Sequence, residues 1–185
     1  MMKDMKALQA GTSHELGQNF SKAFEIQYSD ENNELQHPFQ TSWGVSTRVI
    51  GMIIMAHGDD KGLQLPPNLA PTQSVLIPII PNEDSKSVVL ETVNNLHEEL
   101  RKDYRIKIDD RDNISPGFKF NEWELKGVPL RIEIGPKDIE NNSVVFSRRD
   151  GVNGKSSISI DDVSQKFKEN LDDIQSNLLE TSKNF

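Results

Sequence analysis

DDRDNISPGFKFNEWELKGVPLRIEIGPKD, residues 109–138, carries the densest set of chemically unusual side chains in the chain. Pro116 suits a first helical position, and Gly127 suits the left-handed residue that ends a helix, so the spacing predicts one short helix over residues 117–126. Phe120 and Glu124, four residues apart, then share a helix face. After Pro129, Leu130, Ile132 and Ile134 alternate with Arg131 and Glu133, the two-residue period of a strand with one buried face. Gly135 and Pro136 end that strand and present Lys137 and Asp138 beyond its tip.

An aromatic ring, a carboxylate, an arginine, a lysine and a second carboxylate could therefore converge where helix and strand end meet. That set suits an unstacked base. Guanine offers adjacent N–H donors that one carboxylate accepts together, and its O6 and N7 accept from Arg or Lys. An aromatic ring gives a stacking surface. Spacing alone favours a plainer arrangement, in which Phe118, Phe120 and Trp123 are core and the charges form a solvated helix face with surface ion pairs.

The 185 residues allow one large or two small domains, and 35% hydrophobic with 27% charged content is ordinary for a globular chain. The longest apolar run, residues 49–56, is far short of a membrane span. The opening MMKDMKALQAG lacks a hydrophobic leader, so no export signal, no membrane partner and a cytoplasmic location are expected. With no cysteine, neither disulfides nor a thiolate zinc site can form. A net charge of −8 argues against gripping nucleic acid, DNA included, through bulk phosphate attraction. Residues 116–151 nevertheless balance six basic against six acidic side chains, so a local contact there is permitted.

Outward from that stretch, the pattern predicts a short strand at 24–28 followed by the turn DENN, and a strand broken at Ser42-Trp43-Gly44. A helix is predicted from about Val45, with Ser46, Thr47 and Arg48 in a first turn suited to an anion. His14, beside Thr12 and Ser13, could hold a small polar ligand or be a hydrogen-bonded structural residue. Prolines in GLQLPPNLAP, residues 62–71, mark a domain boundary. Beyond it, 74–80 reads as a strand covered on both faces, and Val89, Val93, Leu96 and Leu100 as a helix. Strands follow at 106–108, 143–147 and 156–160. A long amphipathic helix carries Val163 to Leu178, with Asp162 and Gln165 in capping-box spacing. Alternating strands and helices give a small α/β domain with a mixed sheet.

The phrases LQAGTSHELGQNFSKAFEI, TSWGVSTRVIG, HGDDKGLQLPPNLAP and the 109–142 segment, in this order, closely resemble the prolyl-tRNA synthetases of the archaeal and eukaryotic-like form. The resemblance covers nearly the whole chain. It implies that residues 1–68 are the C-terminal part of a class II antiparallel-sheet catalytic domain containing the third signature motif, SWGVSTR. Residues 69–160 would be the anticodon-binding domain, and 161–185 a helix leading toward a further C-terminal domain. By the same match Arg48 is the catalytic motif arginine that grips ATP. Gln9, Thr12, Ser46 and Arg48 line the ATP side, while His14, Ser42 and Trp43 border the proline pocket. Phe120, Glu124, Arg131, Lys137 and Asp138 match the positions that read the two guanines of proline anticodons.

The implied activity is proline–tRNA ligation: proline's carboxylate attacks the α-phosphorus of ATP, usually with Mg2+, and positioning with charge neutralisation supplies most of the catalysis. The implied partners are tRNA(Pro), proline and ATP, within a homodimer of the complete enzyme. The first two signature motifs of the family are expected upstream of Met1, so this polypeptide is expected to be a fragment that cannot form prolyl-adenylate alone. The alternative is a tRNA-binding module or truncated paralogue without catalysis.

Overall fold

A computed structural model of the chain describes residues 6–184. Residues 1–5, on which part of the leader reading falls, and Phe185 lie outside the described residues. The chain divides into two compact units, one ending at Ile53 and the other starting at Ile54. The division falls inside a helix, ahead of the proline-rich 62–71 stretch.

In the first unit, β1 (Gly11–Gly17) pairs antiparallel with β4 (Gln40–Val45). The intervening chain forms a short helix α1 (Asn19–Ala23) and a two-residue hairpin of β2 (Tyr28–Ser29) and β3 (Leu35–Gln36). The strand expected at 24–28 is therefore mostly absent. Phe24 caps α1, and Glu25 adopts φ 56°, which turns the chain out of any extended path. The expected break at Ser42-Trp43-Gly44 does not occur either, because pairing with Ser13, Thr12 and His14 carries the ladder through Gly44. Cross-strand partners override the weak strand preference of glycine. Helix α2 (Arg48–His57) starts three residues later than expected, since Val45 still belongs to β4.

The second unit is a five-stranded mixed sheet in the order β6-β5-β7-β8-β9. Its strands are β5 (Ser74–Pro78), β6 (Ile106–Ile108), β7 (Leu130–Ile134), β8 (Ser143–Arg148) and β9 (Lys155–Ser159). The first three run parallel, while β8 and β9 are antiparallel to their neighbours. From β5 the chain crosses through α3 (Lys86–Leu100) to β6 on one side, then through α4 (Pro116–Leu125) to β7 on the other. Right-handed crossovers in opposite directions put the two helices on opposite sheet faces. One face packs Leu76, Leu130, Ile132, Ile134 and Phe146 against Val89, Val93 and Leu96 of α3. Phe167, Leu171 and Ile174 of α6 (Val163–Lys183) complete that core. The other face packs Val75, Ile77 and Val128 against Phe120 and Trp123 of α4. This two-sided cover leaves Val75, Leu76 and Ile77 fully buried, as the continuous apolar run predicts.

A short helix α5 (Pro136–Glu140) follows β7 directly. The capping box expected at Asp162 does not form. Residues 160–162 make a 3-10 turn, so Asp162 has the near-helical φ −100°, ψ 0° in place of the extended geometry a cap needs. The amide of Gln165 binds Glu169 instead.

Candidate functional site

Helix α4 is fixed at its start by Ser115, whose hydroxyl accepts from the Phe118 amide, and by Pro116 in its first turn. Gly127 closes its end at φ 72°. The helix is locked to the sheet by one buried carboxylate. Asp109, just past β6, accepts Arg111 Nε and Nη2 at 2.7 and 2.6 Å and the Trp123 indole N–H at 2.7 Å. The Arg111 guanidinium and the indole hydrogen bond hold the Asp109 carboxyl low, at about 2, against the opposing pull of burial. The buried Lys119 donates its ammonium to the Asp109 carbonyl at 3.0 Å. Arg111 also binds Glu122, which in turn takes Lys126 at 2.6 Å. These contacts set the roll of α4, and so decide that Phe120 and Glu124 face the β7–β8 side of the sheet.

On that face the two-residue period of β7 presents Arg131 and Glu133. The Arg131 guanidinium lies 4.5 Å from the Phe120 ring centre. It donates to the nearly buried Glu133 carboxylate at 3.0 Å and to the Ser147 hydroxyl at 3.0 Å. Lys155 of β9 binds the other Glu133 oxygen at 2.6 Å and lies 5.1 Å from the same ring. Register explains the row: Arg131 opposes Ser147, and Ser147 opposes Lys155. Glu124 lines a small concavity with Trp123, Arg131 and Arg149, and pairs with Lys61 at 3.2 Å.

The structure thus brings Phe120, Glu124 and Arg131 together. Lys137 and Asp138 lie beyond the far end of β7, in α5. Asp138 accepts the Gly135 amide at 2.9 Å and so caps its own helix, while Lys137 is exposed. Sequence reading missed Glu133, Ser147, Lys155 and Lys61 as neighbours of the site. Glu133 alone had a signal, since it is two residues from Arg131 on one strand. The other three arrive from distant segments. An aromatic face with fixed cations and a carboxylate one turn along suits stacking and edge recognition of a base.

In the first unit a hollow of about 350 Å³ is lined by Gln9, Thr12, His14, Ser42, Trp43, Ser46 and Arg48, among others. Arg48 donates to Gln9 Oε1 at 3.1 Å, and the Gln9 amide donates to the Thr12 hydroxyl at 2.9 Å. The Ser46 hydroxyl accepts the Arg48 amide at 3.4 Å. Thr12 and His14 oppose Gly44 and Ser42 and share their face of the ribbon. Trp43 opposes Ser13 at the alternate position of the ribbon and is 80% exposed, yet it still borders the hollow. Among the described residues no carboxylate lines this hollow, and their donors suit an anion better than a hard divalent cation. Among the described residues no group of three or more His, Asp or Glu is placed to hold a metal ion. Nor is any of their helices long and apolar enough to cross a membrane.

Comparison with known proteins matches residues 73–170 to the family described as anticodon binding domain. The chain is 56% identical over 183 residues to a proline–tRNA ligase of Alkaliphilus oremlandii, covering 99% of the chain and 37% of that relative. It is 57% identical over 177 residues to one of Roseiflexus sp. (strain RS-1), covering 95% and 37% respectively. With one of Natranaerobius thermophilus the identity is 51% over 185 residues, 100% of the chain and 38% of the relative. The chain therefore spans little more than a third of the length of these curated relatives.

Proposed function

We propose that this chain, which belongs to the anticodon-binding domain family, is the anticodon reader and an adjoining piece of the active site of a proline–tRNA ligase. One observation carries the anticodon reading: Phe120, Glu124 and Arg131 meet on one face of the sheet, with the Arg131 guanidinium 4.5 Å from the Phe120 ring. The ring stacks a base, Glu124 accepts the paired N–H donors of guanine, and Arg131 donates to an acceptor edge. Lys137 and Asp138, past the end of β7, take the second guanine.

The hollow of the first unit supports the catalytic part of the reading. Arg48, fixed through Gln9 and Thr12, meets ATP phosphate, with Ser46 beside it; His14, Ser42 and Trp43 border proline. ATP brings its own Mg2+. The partners of the complete enzyme are tRNA(Pro), proline, ATP and a second copy of the enzyme, in the cytoplasm.

Titration of the chain with proline tRNA and with the same tRNA carrying altered anticodon guanines tests the reading. Tighter binding of the unaltered tRNA is expected, and equal binding of both overturns it.

A further inference from the structure

We infer that Lys61 is a further specificity residue of the base-reading site and that it recognises the O6 of the guanine held by Glu124; the inference rests on the anticodon reading above. Lys61 Nζ lies 3.2 Å from Glu124 Oε1, with the lysine side chain 71% exposed and the glutamate 26%. An exposed ion pair contributes little to stability, typically about 0–1 kcal/mol. What keeps Lys61 beside Glu124 is therefore its loop, and that loop is built with unusual constraint.

Asp59 accepts Arg149 Nη1 and Nη2 at 2.9 and 2.5 Å, the Gln64 amide at 2.8 Å and the Lys61 backbone amide at 2.9 Å. Gly62, at φ 129°, presses against the end of α4, where a Cβ would fall 2.6 Å from the Leu125 carbonyl oxygen. Leu63 then donates its amide to that same oxygen at 3.0 Å. Gly127 gives way in return, since a Cβ there would lie 2.6 Å from Leu63 Cβ. Two glycines and a clamped aspartate thus hold the 59–63 loop on the last turn of α4, one residue from Glu124. Arg149 ties both ends of the arrangement, because its Nε also donates to the Glu124 carbonyl at 3.0 Å.

The chemistry of the pair matches one base edge. Guanine presents, in a row, the O6 acceptor and the N1–H and N2–H donors. A carboxylate satisfies the two donors and leaves O6 at its flank, where an unmet acceptor carries a desolvation cost. An ammonium already touching that carboxylate can reach O6 by a small rotation of an exposed side chain. Adenine puts an amino donor at the same place, so the ammonium meets a donor and opposes it. Lys61 and Glu124 together form a donor–acceptor–acceptor template for guanine. The same positive charge offsets repulsion between Glu124 and the RNA backbone.

The test uses the chain with an anticodon hairpin of proline tRNA, each anticodon guanosine replaced in turn by 6-thioguanosine, which keeps N1–H and N2–H but weakens the O6 acceptor, or by inosine, which lacks the N2 amine. Fluorescence anisotropy on the unsubstituted chain should favour guanosine over 6-thioguanosine by about tenfold at one position. In Lys61→Ala that ratio should fall to near one, while the preference for guanosine over inosine, set by Glu124, persists. Circular dichroism confirms that the exposed substitution leaves the fold unchanged. A Lys61→Ala chain that keeps the 6-thioguanosine ratio, or that binds both hairpins more weakly by one common factor, overturns the inference and leaves the anticodon reading standing. If the unsubstituted chain binds all hairpins alike, the anticodon reading falls and Lys61 with it.

Discussion

Arg131 holds its guanidinium 4.5 Å from the centre of the Phe120 ring. That cation is itself fixed by Glu133 and Ser147, and a second, Lys155, lies 5.1 Å from the same ring. Phe120→Leu keeps the apolar contact with Val75 and Ile77 but removes the π face. It should weaken binding of a proline anticodon hairpin by about 1–3 kcal/mol, the range for one stacked base, with little change in melting temperature. Anisotropy titration checks this, and unchanged affinity would remove Phe120 from the site.

Asp109 makes the seating of α4 depend on pH. Its folded-state pKa, about 2, is below the ordinary 3.8 of an unfolded aspartate. The stabilisation is thus fully present above about pH 4 and is lost as the pH falls toward 2. Linkage converts a shift of this size to roughly 2 kcal/mol. Urea unfolding at pH 7 and pH 2.5 should show that loss, and Asp109→Asn should flatten the profile through this window. A variant whose profile parallels the parent's would assign the acid sensitivity elsewhere.

Three glycines separate backbone need from mere tolerance. Gly127→Ala forces a Cβ into φ 72° and to 2.6 Å from Leu63, and Gly62→Ala meets the Leu125 backbone at the same distance. Each should cost about 1–3 kcal/mol. Gly117 lies inside α4 with nothing within 4 Å of a Cβ, so Gly117→Ala should be neutral or stabilising by up to about 1 kcal/mol. Chemical denaturation of the three variants gives the ordering directly.

How much of this was legible in the sequence follows the range of the interactions. Pro116 and Gly127 bracket α4 because capping is local, and the alternation of Leu130, Ile132 and Ile134 with Arg131 and Glu133 reports which face of β7 is core. Phe120 and Arg131 meet as expected because one short crossover joins their elements. The contributions of Lys155 and Lys61 were not legible. One depends on the β8–β9 register and the other on a loop that packs against α4 through two glycines. The Asp162 cap failed for the opposite reason: the motif was local, but the preceding 3-10 turn had already fixed the backbone.

Arg48 gives the sharpest test of the first unit. It is the first residue of α2, its own amide held by the Ser46 hydroxyl, and its side chain reaches Gln9, which reaches Thr12. A charged hydrogen bond to phosphate is worth about 1.5–3 kcal/mol, so Arg48→Ala should weaken a non-hydrolysable prolyl-adenylate mimic at least tenfold by calorimetry. Arg48→Lys keeps the charge but not the forked geometry, and should fall between the two. Thr12→Val removes the hydroxyl that holds Gln9 while leaving Arg48 intact, and should produce a smaller loss in the same direction. Equal heats for the parent chain and Arg48→Ala would assign the hollow no part in holding phosphate, whatever the anticodon face binds.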